Sequence, residues 1–485
     1  MNFLVVDMTH GGVKLSIKLS TDNKNRVYGY DIYNTLKESE LKELYSNNVK
    51  LIENINNLND ISDLSVISPV HCPLEEKDYK KEINENIKYY THHSGVKLIL
   101  EPWIKRMNSE NKPIIEITGV KGKTTTGFIL KEILNDPLLL SSLGAYIFRE
   151  NPIILKKNLS ITPANIIETI DMARKISNPK CSLDNDGNIF KDEINYDSAI
   201  FESSLGACGI GDIGILTNII EDYPIARGKS NASIAKEQIF NCSLVVCEYN
   251  TLNEYYNKHN KNNINTFAIN DIDANLIARN INYSLSKTTF EVEYENLKTL
   301  SGDLISGRFN AVSFAPGPQH ILNILAATSA ALTLEINEDR IIEGLSNFKG
   351  IIGRSSIRQI SNSTIIEEVN PGLNTSSIEK SINMVEAYEN YNIIIGGKYG
   401  ITCEEIDENK LIKMISDKIS NNPSVKIIVT DELGHSINEK INNMEGKIES
   451  VKYIKELDDA IDYSVENNKN ILLIYRSNYS QVNKR

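Results

Sequence analysis

The sequence predicts an α/β protein of three successive domains built on parallel sheets, and three observations carry that expectation. A length of 485 residues suits roughly three domains of ~100–200 residues each. Short apolar runs of strand length alternate with segments of helical pattern, the order expected of a parallel sheet with crossover helices. One of these runs leads through a turn rich in Gly and Thr into a helix, and α/β folds place ligand loops at such strand ends.

In the first part, FLVVD near the start reads as a buried strand. Residues 9–12 read as a turn into a helix from about Val13, RVYGYDIY as a second strand, and residues 64–70 as a third, ended by Pro69 and Pro73. A second part opens near Lys97, with strands at 113–119, 198–204, 213–219, 243–249 and 264–270, a β-rich segment at 283–316, and an Ala- and Leu-rich helix at about 321–334. A third part opens near Ile351, with strands at 364–369, 392–397, 425–430 and 470–475 separated by helical segments. The expected domains are 1–96, 97–348 and 349–485.

The net charge of −12 does not favour nucleic acid, so any anionic ligand must be held by local donors. No run reaches the ~20 apolar residues of a membrane-spanning helix. The N-terminus lacks a basic region, and Asp7 interrupts its apolar stretch, so it reads as a strand and not as a leader. Six cysteines are scattered without a C-x-x-C pair, which gives no support to a zinc or thioredoxin-like site and suits a reducing cytoplasm.

The strongest chemical signal is ITGVKGKTTT at 117–126. Gly119 and Gly122 let successive N–H groups of Val120, Lys121 and their neighbours converge on phosphate oxygens. The helix that follows adds its positive end. Lys123 can reach the outer phosphates, the Thr124 hydroxyl can ligate magnesium, and Thr125 continues the loop into the helix. Ile117 stands where the strict P-loop pattern has its first glycine. Glu202 ends the strand FESSLG, where a carboxylate can hold magnesium; the bland reading is a solvated strand-end acid.

These runs resemble the Mur ligase family, whose P-loops read G-T-N-G-K-T-T and whose following strand carries E-x-S/T-S. The resemblance implies a three-domain architecture with a central P-loop ATP-binding domain and a C-terminal Rossmann-like domain, with ATP and magnesium as cofactors. Thr217-Asn218 matches the family's T-N, so the resemblance assigns Asn218 to the nucleotide site. Asp222-Tyr223 stands for its Asp-His, which makes Asp222 a substitute metal ligand. Lys236 falls where many members carry a lysine carbamylated to an oxygen ligand, although a plain surface lysine remains an alternative. Gly317 and Asn323 match the run that contacts adenine, and Gly353-Arg354 the G-R that opens the last domain, where Arg354 can reach ATP phosphate.

Four runs depart from ordinary members: D-M-T-H-G-G at 7–12, S-P-V-H at 68–71, E-E-V-N-P-G-L-N at 367–374, and the loop at 396–407. They resemble one archaeal branch of the family. That resemblance implies an enzyme that phosphorylates a propionate of a nickel tetrapyrrole seco-acid and closes a carbocycle onto the acyl phosphate, in cofactor synthesis for methanogenesis. The required carbon base is sought among Glu368, His10 and His71; His10 can equally cap a helix. The adjacent pair His92-His93 diverges on either a helix or a strand and is not read as a nickel site. The alternative is an amide-forming ligase joining an amino acid to a carboxylate, and a third reading is a nucleotide-switched binding protein. No nucleic acid or membrane partner is expected.

Overall fold

The computed structural model describes residues 1–70, 72–83, 86–177, 194–225, 230–259, 261–271, 273–351, 354–370, 373–385, 390–400, 406–422, 425–443, 450–467 and 469–477. Contacts divide the chain into two compact units. One comprises 1–282, 289–312 and 318–347, and the other 283–288, 313–317 and 348–485.

The first unit contains two large sheets. The N-terminal one is parallel throughout, in the order Lys50–Leu51, Arg26–Tyr30, Asn2–Val6, Leu64–Ser68, Lys88–Thr91. Phe3, Leu4, Val5 and Val6 are all buried, as a strand covered on both faces requires. The chain reverses its direction of winding between Asn2–Val6 and Leu64–Ser68, the place where doubly wound sheets open a crevice. The expected turn after the first strand is a π-helical turn, Met8–Gly12, running into the helix Val13–Ser20. Asp7 starts it with φ 66°, and its buried carboxylate accepts from the Thr9 amide at 2.8 Å. A non-glycine residue held at positive φ is strained, and such strain gathers at ligand sites.

The central sheet has eleven strands. Its parallel core runs Leu276–Asn282, Ile264–Ile269, Leu244–Glu248, Ile213–Leu216, Ile114–Thr118, Ser198–Glu202, Pro137–Ser141. Antiparallel strands extend both edges. Gly144–Ile147 and Ile153–Lys157 were not anticipated from sequence; Thr288–Lys298 and Leu304–Ser313 account for the expected β-rich segment. The strand Ile114–Thr118 thus lies between Ser198–Glu202 and Ile213–Leu216, with all three pointing the same way.

The expected boundary at 96/97 falls inside one helix, His92–Ser109, capped by the Thr91 side chain. Its Val96, Leu100, Trp103 and Met107 join a single core that runs from Phe3 and Val5 to Ile114, Leu138 and Phe201. Trp103 packs on Phe201 with ring centroids 5.9 Å apart, and its indole N–H donates to the Tyr196 hydroxyl at 3.0 Å. The two sheets of the first unit are therefore bound through shared apolar packing.

The second unit is built on a six-stranded sheet, in the order Arg354–Ile360, Ser363–Val369, Asn470–Arg476, Tyr391–Gly397, Lys426–Thr430, Val451–Tyr453. Only the first strand is antiparallel to its neighbour. This is the doubly wound third domain expected from sequence. Among the described residues, no helix is long and apolar enough to cross a membrane.

Truncation at the shared core tests this construction. Phe201→Ala should cost roughly 3–5 kcal/mol and lower the urea midpoint of near-UV signals from Trp103. An unchanged midpoint would show that the two sheets of the first unit are not bound through this packing.

Candidate active site

Three neighbouring strands deliver the site from their carboxyl ends. The P-loop follows Ile114–Thr118, Glu202 closes Ser198–Glu202, and Thr217-Asn218 follows Ile213–Leu216. The sheet register therefore gathers motifs that lie about 80 to 100 positions apart in sequence.

The loop is fixed from beneath. The Asn218 carbonyl accepts the Val120 amide at 2.9 Å, and the Asn218 side chain both accepts from the Lys121 amide and donates to the Lys121 carbonyl. The Thr217 hydroxyl donates to the same carbonyl at 2.6 Å. Asn218, expected at the nucleotide, thus shapes the loop backbone. Two positions admit only glycine. A side chain at Gly119 (φ +142°) would sit 2.0 Å from the Thr217 hydroxyl, and one at Gly122 (φ +87°) 2.0 Å from the Asn323 amide oxygen. Asn323, on the helix Pro318–Thr333, is thus pressed against the loop. Val120 and Lys121 form the crest between the two glycines, and Thr125 lies in the first turn of the helix Lys123–Ile133.

The Lys123 ammonium donates to the Gly119 carbonyl at 3.0 Å. The Thr124 hydroxyl donates to both oxygens of the Glu202 carboxylate, at 2.9 and 3.0 Å. Ser142 completes this cluster: its amide donates to Glu202 at 2.9 Å and its hydroxyl lies 3.0 Å from that of Thr124. Two hydroxyls around one carboxylate are hard oxygen donors, the kind magnesium prefers. Ser142 is hard to find from sequence because the strand before it, Pro137–Ser141, is a short apolar run; LLLSSLG is the available signal.

Lys236 is buried, which overturns the reading of a plain surface lysine. It ends the short helix Ala232–Lys236, and its ammonium donates to the Ser204 carbonyl at 3.3 Å. It lies over the Tyr223 ring, 5.8 Å from the centroid. Burial first, then the positive charge of Lys123, pushes its pKa down to about 7, against the opposing pull of Asp222. Asp222, expected as a metal ligand, is tied to that helix. One oxygen accepts the Ser233 amide at 2.8 Å and the other the Ser233 hydroxyl at 2.7 Å. The two residues lie eleven positions apart, so this contact is made by the fold and not by a local capping sequence.

Two further titratable groups, Glu116 and His93, are buried. Glu116, in the middle of the strand that leads to the P-loop, is fully buried and accepts from the amides of Cys208, Ile210 and Gly211 at 2.7, 2.7 and 3.2 Å. Burial raises its pKa while those amides pull it down. The His93 imidazole is buried against the backbone of Gly206. Burial and the adjacent His92 push its pKa down to about 4. His92 itself turns away, to the Val6 carbonyl at 3.1 Å.

Arg354 and Glu368 belong to the second unit, where they are register partners on adjacent antiparallel strands. Glu367, one residue before Glu368 and so on the other face of the sheet, is buried and accepts from Arg358 at 2.9 Å. His10 lies in the π-helical turn, and its side chain, like that of Arg354, is outside the described residues; so are His71 and Gly353.

The family described as "Coenzyme F430 synthetase CfbE, C-terminal domain" matches residues 357–478. The chain is similar to the coenzyme F(430) synthetase of Methanocaldococcus jannaschii, 27% identical over 424 residues that cover 85% of this chain and 87% of that protein. It is equally similar to the coenzyme F(430) synthetase of Methanosarcina acetivorans, 27% identical over 424 residues, 82% of this chain and 84% of that one. Among solved structures, MurF of Acinetobacter baumannii superposes with a TM-score of 0.56 at 13% identity, covering 89% of this chain and 91% of that one. The UDP-N-acetylmuramate-alanine ligase of Thermotoga maritima superposes with a TM-score of 0.51 at 16% identity, covering 100% and 98%.

Two substitutions test the geometry. Gly122→Ala should weaken ATP binding at least tenfold by calorimetry, because its Cβ collides with Asn323 in a backbone conformation costly for alanine; unchanged affinity would contradict the described loop. For Lys236, the folded-state pKa lies below the unfolded one, so the wild type gains stability as pH rises from about 7 towards 10.5. Lys236→Met should lack that rise, so its melting-temperature advantage should be greatest at pH 6 and shrink by pH 9. A difference that does not vary with pH would mean the amine is not buried.

Proposed function

We infer that this chain, a member of the Mur ligase family, is an ATP-dependent ligase that activates a propionate of a nickel tetrapyrrole seco-acid and closes a ring through a new carbon–carbon bond, giving coenzyme F(430). The observation that carries this reading is the joint placement of Lys123, Thr124 and Glu202 at one sheet edge, in a chain similar along most of its length to two coenzyme F(430) synthetases.

The residues fit the implied cofactors. Bound ATP supplies the phosphoryl group, and magnesium offsets its charge. The amides at 119–124 and Lys123 would hold the phosphates, and Thr124, Glu202 and Ser142 would offer oxygens to the metal. Lys236 is suited to carbamylation, since a neutral amine reacts with carbon dioxide and an ammonium does not. A pKa near 7 keeps much of it neutral at physiological pH. The carbamate would add an anionic oxygen donor beside Ser204. Arg354 is assigned to ATP phosphate, and Glu368 and His10 to the proton released from the attacking carbon. The 1–96, 97–348 and 349–485 segments are proposed as substrate, nucleotide and closing domains, the last of these excluding water from the acyl phosphate.

The test is to mix the purified chain, ATP and magnesium with the nickel seco-acid. One ADP and one phosphate should appear per ring closed, with a shift in the visible spectrum. Lys123→Ala should lower the rate by roughly 10²–10³, and withdrawal of bicarbonate should lower it several-fold in the wild type but not in Lys236→Met. ADP release that requires an added amine would replace this reading with amide synthesis, and no release with the seco-acid would end it.

A further inference from the structure

Ring closure within one molecule sets a constraint that amide synthesis does not. The activated carboxyl and the carbon that attacks it belong to the same macrocycle, so the phosphoryl site and the group that takes the proton must stand at a fixed separation. An amine arrives as a separate molecule and finds its own place. On the function inferred above, on which this argument rests, the two places are Glu202 and the turn Met8–Gly12, which carries His10. They belong to different sheets of the first unit.

The turn is joined to the loop after Glu202 from both of its ends. At its root, His92 Nε2 donates at 3.1 Å to the carbonyl of Val6, the residue before the strained Asp7. The next side chain, His93, leaves the same helix in another direction and is buried against the Gly206 backbone. Gly206 in turn lies so close to the Lys236 helix that a side chain on it would sit 2.0 Å from the Ala235 carbonyl. At the far end of the turn, a side chain on Gly11 would sit 2.6 Å from Ala164 Cβ, in the first turn of the helix Pro163–Ser177. Just beyond, the Lys14 ammonium donates to the Asn165 side chain at 2.5 Å, and Asn165 donates to the Ser160 carbonyl at 2.6 Å. The neighbouring Ile161 carbonyl accepts the Ser204 amide at 3.2 Å. Both routes therefore end on residues 204–206, directly after Glu202 and Ser203.

Histidine suits the inner route. Burial keeps the His93 ring neutral, so no charge has to be enclosed between the two sheets. The neutral ring still has an N–H to offer the Gly206 backbone. Leucine would fill much of the space without that donor, whereas glutamine would keep one.

We propose that His92 and His93 are positioning residues that fix the turn Met8–Gly12 against the loop after Glu202, so that the proton acceptor and the acyl phosphate keep the separation ring closure needs.

The test counts ADP released per ring closed. With the turn displaced, the acyl phosphate still forms but is captured by water, which returns the carboxylate and frees phosphate. His93→Leu should raise the ratio by roughly threefold or more, with the KM for ATP unchanged, and His93→Gln should keep it at the wild-type value. His92→Leu breaks the other arm, should act as His93→Leu does, and decides the matter if that variant does not fold. A wild-type ratio in both Leu variants, whatever their rates, would overturn the proposal; so would a Gln variant as wasteful as the Leu one. A wild type inactive on the seco-acid would end the ring-closing reading, and hydrogen exchange then decides the positioning by itself. A non-hydrolysable ATP analogue with magnesium should slow amide exchange at residues 8–12 in the wild type and not in His93→Leu. Equal slowing in both, or none in the wild type, would overturn the positioning.

Discussion

The central requirement is that backbone amides face one point, and two positions without side chains make that possible. Convergent N–H groups need left-handed backbone at Gly119 and Gly122, and the outer surfaces of both glycines are already taken by Thr217 and Asn323. The loop is thus gripped between the next strand end and the helix Pro318–Thr333. Anything that moves either neighbour moves the phosphate cradle, so nucleotide binding is tied to the packing of the whole central sheet.

Charge is arranged around this cradle with little redundancy. One carboxylate, Glu202, is met by two hydroxyls and an amide, and two cations, Lys123 and Lys236, are near enough that the first lowers the proton affinity of the second. The sites differ in solvation: Lys123 lies along its own loop, while Lys236 is shut inside. In the absence of a strong overall positive field, the short range of these contacts is what allows an acidic protein to hold a triphosphate.

Much of this is legible in the sequence, and the parts that are not share a physical cause. The P-loop was legible because the backbone geometry dictates residue type at Gly119, Gly122, Lys123 and Thr124. Glu202 was legible because a carboxylate at the end of an otherwise apolar strand has few structural uses. The strand Pro137–Ser141 was missed because a short apolar run has no period of its own, and Ser142 went with it. For Asp222 the sequence offers motif position alone, and its bonds to Ser233, eleven residues on, are set by the fold. The burial of Lys236 could not be read at all, since lysine is rarely enclosed and only the fold decides it. Likewise the helix His92–Ser109 crosses an expected boundary because its apolar face serves two sheets at once, a property of packing that a composition shift does not mark.

The carboxylate of Glu116 has a consequence for how such a chain can diverge. It sits on the strand feeding the phosphate cradle and satisfies three amides of the turn that leaves the Glu202 strand, the first of them 92 residues away. An apolar replacement would strand all three donors in the interior, each a loss of about 1–3 kcal/mol, whereas a redrawn turn would leave a buried anion without partners. Neither half can drift alone, so descendants of this sequence are expected to inherit the strand residue and the distant turn as a single heritable unit.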